Sequence, residues 1–355
     1  MTAGKEYLQE VQKFTSSQYW YSGLRITAGV MVPVGVFIVT GWLSVAIPFL
    51  WGALFVSLTD TPGPIHHLGY PPILLAAYLF GLRGALLVAG TTSDAGKSVL
   101  TTGICRWLAR EGVKVAPFKA QNMSNNSMVT ADGAEIGRAQ WVQAIAAGAE
   151  PEAAMNPVLL KPGSDRRSHV VLMGRPFGEL DASSFAGART AMAEAAYAAF
   201  DDLSRRYDVV VCEGAGSPTE INLREHDFVN MGLAQHGRIP TVVVGDIDRG
   251  GVFAAMYGTL KLMPEHDQRL LRAFVVNKFR GDRSLLEPGL RMIEEATERP
   301  VLGVLPWLPG LWLDSEDAID LEGRRATDQH TGPVLRVAVV RFPRISNFTD
   351  VDALA

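Results

Sequence analysis

Nine consecutive residues, Gly90 to Ser98, read G-T-T-S-D-A-G-K-S and have the types and spacing to hold a chain of phosphates. Glycine lets the backbone curl until its N–H groups point at phosphate oxygens. Gly90, Thr92, Asp94, Ala95, Gly96 and Val99 would line such a loop. Lys97 would reach the β and γ phosphates, and the Ser98 hydroxyl would bind Mg2+. The loop follows an apolar run, Leu86–Ala89, and precedes a helical stretch, Val99–Arg110. That helix N-terminus adds partial positive charge. The strict pattern places four residues between the two glycines, whereas five separate Gly90 from Gly96. A Gly-Lys-Ser by chance is common; one set between a strand and a helix is not. An ATP site with Mg2+ is therefore expected here.

Further chemistry-bearing residues follow other apolar runs. Val209–Val211 leads into Cys-Glu-Gly-Ala-Gly, so Glu213 stands at a strand end where it would bind Mg2+, directly or through water. The plainer reading is a turn with a solvated glutamate. Lys119 follows Val113–Phe118, as a cation for a transferring phosphoryl group or as an ordinary surface lysine. Gln121, Asn122, Ser124, Asn125 and Asn126 form a run of amides and hydroxyls, the composition of an Asn-rich turn or of a hydrogen-bonding surface for a polar substrate. Asp246, Asp248 and Arg249 follow Thr241–Val244. Asp246 would bind Mg2+ or orient a substrate carboxylate, and Arg249 would neutralise charge in the transition state. Equally, Asp248 and Arg249 would pair with each other as structural ions. Asn277 and Lys278 follow Ala273–Val276, where a strand-end cap is the plain alternative.

The elements that must carry these groups alternate. Leu86–Ala89, Val113–Phe118, Val209–Cys212, Thr241–Val244, Ala273–Val276 and Val301–Val304 are continuous apolar runs with helical stretches between them. Such runs predict an α/β fold, a P-loop parallel sheet with helices on both faces. The chain has 355 residues and a net charge of −4, so no global basic field draws it to nucleic acid. Its two cysteines, Cys105 and Cys212, lie too far apart in sequence for a disulfide framework or a zinc site, and packing is the expected role of both. The reduced cytoplasm is the default setting for the catalytic domain.

The ends differ from this middle. Residues 26–59 contain no charged side chain. The block is long for one membrane span and short for two, and Trp20, Tyr21, Trp42 and Trp51 would be interfacial anchors. A buried soluble hairpin is the alternative. His66 and His67 in the loop 59–67 point different ways on any regular element, which argues against a metal site. A third apolar piece, Pro71–Leu82, is twelve residues long. Residues 24–67 are similar to the start of bacterial inner-membrane proteins of the aromatic-acid-exporter type. Residues 1–83 are thus expected to be an apolar helical membrane-protein fragment, with membrane contact through residues 26–82. Residues 84–315 form the P-loop domain, 316–334 a polar linker and 335–355 the start of a further domain.

From about residue 84 onward the chain resembles the cobyric acid synthase family of dethiobiotin-synthetase-like amidoligases. The match is carried by TTSDAGKS (91–98), PFKAQNMSNNS (117–127), EIGRAQ (135–140), NPVLLKP (156–162), CEGAGSP (212–218), GDIDRGGVFA (245–254), NKFRGD (277–282) and LGVLPW (302–307). The resemblance implies ATP-dependent amidation of corrin carboxylates, with adenosylcobyrinic acid a,c-diamide as substrate and four positions amidated. ATP turns a carboxylate into an acyl phosphate, and ammonia displaces phosphate. It implies Lys119 at the γ or acyl phosphate, Gln121, Asn122, Ser124, Asn125 and Asp248 on the substrate, and Asn277 with Lys278 at the adenine. It also implies that 335–355 begin a truncated glutaminase-like domain. Neither cysteine can serve glutamine hydrolysis, so ammonia must be free or come from a glutaminase domain in trans. Other readings are a cobyrinic acid a,c-diamide synthase-like ligase, a membrane-tethered P-loop ATPase, and an inactive fusion fragment. PFKAQNMSNNS argues against the first. The absence of an early loop lysine argues against the second.

Overall fold

The computed structural model describes residues 84–164, 167–309, 311, 346, 347 and 350. The apolar block, the exporter-like resemblance and the expected membrane contact lie outside these residues, as do the linker and nearly all of 335–355. Among the described residues no helix is long and apolar enough to cross a membrane.

Strand β1 (Gly84–Gly90) runs into the phosphate loop and helix α1 (Lys97–Arg110), and β2 (Val115–Phe118) follows. Three short strands come next, β3 (Gln121–Met123), β4 (Ser127–Val129) and β5 (Glu135–Gly137), then α2 (Arg138–Ala147). A meander of β6 (Val158–Ser164), β7 (Arg167–Leu172) and β8 (Arg175–Asp181) leads to the long α3 (Ala182–Arg206). The rest alternates: β9 (Val209–Glu213), α4 (Met231–Gly237), β10 (Thr241–Asp246), α5 (Val252–Leu262), α6 (Glu265–Gln268), β11 (Leu271–Phe279), α7 (Glu287–Thr297) and β12 (Val301–Pro306).

Six of these strands form one parallel sheet in the order β12-β11-β10-β1-β9-β2. Successive strand residues point to opposite faces, and both faces are covered. Leu87, Ala89, Val210, Cys212 and Val243 join one core with α3, α4 and α5. Leu86, Val88, Val211, Val242 and Val244 join the other with Leu100, Ile104, Cys105 and Leu108 of α1. Two-sided burial is why these strands are unbroken apolar runs, and why their valines, which fit a pleated buried surface, dominate.

The order also places the site. The chain passes from β1 beyond β9 to β2, and later from β9 across β1 to β10. The direction of strand addition thus reverses around β1, which opens a crevice at the carboxyl ends of the strands. Register brings the ends together: Val88 lies beside Glu213, Gly90 beside Val244, and Asp246 beside Asn277.

A second sheet, β3-β6-β7-β8, and a small β4-β5 hairpin stand beyond the end of β2. Apolar periodicity gave no sign of β3, since a strand of Gln, Asn and Met has no apolar alternation. Tertiary pairing with Val158–Leu160 of β6 makes it one.

Candidate functional site

The phosphate loop is held by its surroundings at both ends. Gly96 caps α1 with φ 101°, a backbone angle that L side chains rarely adopt. A Cβ there would also stand 2.0 Å from Asn277 Nδ2. That amide donates to the Ala95 carbonyl at 2.9 Å, so the buried Asn277 staples the loop to β11. Lys97 bends back over the loop, donating to the carbonyls of Thr92 at 2.9 Å and Gly216 at 3.2 Å. The loop of β1 and the glycine turn after β9 are thus joined through one ammonium.

Glu213 is the focus of the second set. Only 1% of it is exposed. Its Oε1 accepts from Ser98 Oγ at 2.8 Å and pairs with Lys119 Nζ at 3.0 Å. Its Oε2 accepts from Gln143 Nε2 at 2.5 Å. Burial pushes the carboxyl pKa up, but the Lys119 charge and the bonds from Gln143 and Ser98 outweigh it, leaving Glu213 below its ordinary range. Lys119 itself is buried, not a surface lysine. The solvated-glutamate alternative for Glu213 fails with it. Gly214 follows because a Cβ there would meet Asn230 Oδ1 at 2.1 Å.

Ser98 and Glu213 are hard oxygen donors in contact, beside a phosphate-binding loop. That donor set fits Mg2+, which takes one or two protein oxygens with phosphate and water for the rest. Asp246 is also buried, with Lys278 Nζ at 2.8 Å and Arg249 Nε at 3.5 Å. Arg249 reaches Asp94 of the phosphate loop at 3.1 Å, while Asp248 pairs with Arg280 at 2.9 Å. The alternative pairing of Asp248 with Arg249 is therefore replaced by two separate contacts.

The amide run divides. Asn122 donates to Gln140 Oε1 at 3.1 Å, Ser124 Oγ accepts from the Asn126 amide at 2.9 Å, and Asn125 donates to the Pro162 carbonyl at 3.2 Å. These side chains bind their own fold. Gln121 instead lines a half-open cleft of about 220 Å³, with Arg189, Ser217, Arg224 and Asn230. Val99 lies in the first turn of α1, two residues after its start at Lys97. Both thiols are buried and pushed far above the usual range, first by burial, as packing groups would be.

Gln143 and the cleft arginines are missing from the sequence reading. Gln143 lies three residues beyond EIGRAQ, and a glutamine on a helix carries no chemical signal of its own. Arg189 and Arg224 are brought in by α3 and by the loop before α4, far from the phosphate loop in sequence.

The CbiA family, described as the CobQ/CobB/MinD/ParA nucleotide binding domain, matches residues 86–319. The chain is 69% identical over 271 residues to "Cobyric acid synthase" of Mycolicibacterium vanbaalenii, covering 76% of this chain and 55% of that protein. It is 70% identical over 273 residues to "Cobyric acid synthase" of Mycobacterium tuberculosis strain H37Rv, with the same shares covered. The chain thus spans about half the length of the curated relatives it matches. Among solved structures, the signal recognition particle 54 kDa protein of Aeropyrum pernix in complex with GDP is similar at 16% identity and a TM-score of 0.36, covering 75% of this chain and 54% of that one, a likeness too low to bear on the argument. A glycine-bounded loop between strand and helix, a buried glutamate on the neighbouring strand and a family match over most of the described residues lead to one statement: the chain belongs to the CobQ/CobB/MinD/ParA nucleotide-binding domain family.

Proposed function

We propose that this domain amidates corrin side-chain carboxylates at the expense of ATP, converting adenosylcobyrinic acid a,c-diamide to cobyric acid at positions b, d, e and g. The observation that carries the reading is the convergence of Ser98, Lys119 and Gln143 on the Glu213 carboxylate, beside Lys97. The relatives named cobyric acid synthase support the substrate class.

A carboxylate is a poor electrophile until one oxygen becomes a leaving group. In the first step a substrate carboxylate oxygen attacks the γ phosphorus of ATP, the bond to the β–γ bridging oxygen breaks, and ADP leaves. In the second, ammonia attacks the acyl carbon, the carbon–oxygen bond to phosphate breaks, and the nitrogen loses a proton. Charge spreads over the transferring phosphoryl group, so fixed cations are the main aid the protein gives. Lys97 and Lys119 supply them. Mg2+ held by Ser98 and Glu213 would neutralise the same oxygens. Arg249, tied to both Asp94 and Asp246, brings a further charge to the loop, and Asp246 with Lys278 holds it there. Lys278 and Asn277 are assigned to the adenine side, where Asn277 also fixes the loop. Gln121 and Arg189 of the adjoining cleft would take the substrate's carboxylate arms, with Asn122, Ser124, Asn125 and Asp248 supporting that face, while Arg224 is held by the buried Asp267. Ammonia comes free or from a glutaminase domain.

ADP release, measured with corrin substrate and ammonium, tests this. Release that requires both substrates is expected. Hydrolysis indifferent to corrin would point instead to a P-loop switch ATPase and would overturn the assignment.

A further inference from the structure

Gln143 sits on α2, fully buried, and its Nε2 donates to Glu213 Oε2 at 2.5 Å. Its Oε1 is buried with no hydrogen-bond partner. A buried amide normally satisfies both ends, and an exception asks for a reason. Turning the amide over would set its oxygen against a carboxylate oxygen, so the donor must face Glu213. The other carboxylate oxygen is occupied by Ser98 and Lys119. Three donors on two oxygens define the plane of the carboxylate, and Gln143 is the one that acts from the side opposite Ser98. Gln140, one turn earlier on the same helix and equally buried, does something else: it accepts from Asn122.

We propose that Gln143 is a positioning residue that locks the Glu213 carboxylate with Oε1 turned to Ser98, and so sets the affinity of the site for the divalent cation that accompanies the nucleotide. The proposal rests on the reading of Ser98 and Glu213 as the metal-holding pair. Groups that orient a metal-binding side chain from behind matter almost as much as the ligands.

The test is a Mn2+ titration followed by electron paramagnetic resonance in the presence of a non-hydrolysable ATP analogue, with analogue affinity in EDTA measured by calorimetry. Gln143→Met keeps the length and volume and removes the donor. It should raise the Mn2+ concentration for half-saturation about tenfold or more while leaving metal-free analogue affinity within about twofold. In turnover, kcat should fall more than KM for ATP rises. Gln143→Leu, a second apolar replacement, guards against a misfolded first variant and should move the titration in the same direction. Gln140→Met, equally buried, should leave it in place. Wild-type Mn2+ affinity in both Gln143 variants would overturn the proposal. If the wild-type protein binds the analogue no better with Mn2+ than without, the metal-site reading itself fails and takes this inference with it.

Discussion

Replacing Glu213 by glutamine should destabilise the fold strongly, and removing Lys119 as well should restore most of the loss. The side chains are 4% and 1% exposed and 3.0 Å apart. At that distance and an effective dielectric of about 20, the attraction is roughly 5 kcal/mol before desolvation is counted. Burial cancels much of it, so the pair adds little net stability over apolar groups of similar size. Breaking it is different. In E213Q the ammonium of Lys119 stays buried without its counter-charge, at a cost of about 3–5 kcal/mol. Gln143 can turn over to accept from the new amide, so hydrogen bonding offsets only the neutral part. In K119M/E213Q neither half of the pair is left uncompensated, and stability should return to within about 1 kcal/mol of wild type. K119M strands the buried carboxylate at a similar cost, so a double-mutant cycle from urea unfolding should give a coupling of about 5 kcal/mol or more. Neither variant should transfer phosphate. The reasoning is refuted if E213Q loses less than about 1 kcal/mol, or if the double variant is no more stable than E213Q.

Other outcomes follow from the same contacts. Since Glu213 is depressed, its stabilisation is complete above the ordinary carboxylate range near 4.3 and is lost as pH falls through the lower folded value; E213Q should flatten that acid limb of an unfolding series. Asn277→Ala frees the Ala95 carbonyl and removes the amide assigned to the adenine side, so it should weaken ATP binding by about tenfold in calorimetry and GTP binding less; equal losses would leave Asn277 a loop staple with no part in base reading. Gly96→Ala forces a Cβ into Asn277 at an unfavourable φ, and should abolish nucleotide binding in a fluorescent-analogue titration. Cys105 and Cys212, buried with raised pKa values, should resist iodoacetamide at pH 8 until urea unfolds the protein, as mass spectrometry would show.

The sheet was legible because two-sided burial writes itself as unbroken apolar runs, and all six expected strands are present at β1, β2, β9, β10, β11 and β12. The phosphate loop was legible for a related reason: its glycines, lysine and serine are local in sequence, and flanking elements fix their setting. What the residues could not announce was the division of labour in the amide run, because Asn122, Ser124, Asn125 and Gln121 look alike until the fold gives the first three partners of their own and leaves Gln121 at the cleft. The partners of Asp248 and Arg249 were equally hidden, since ion pairs depend on which strand ends come side by side. The sequence alone determined the six strands of the parallel sheet and the chemistry of the loop, because both depend on neighbours along the chain. Only the tertiary structure decided that Lys119, Ser98 and Gln143 share one carboxylate, because residues from four separate elements meet there only when the strand order reverses around β1.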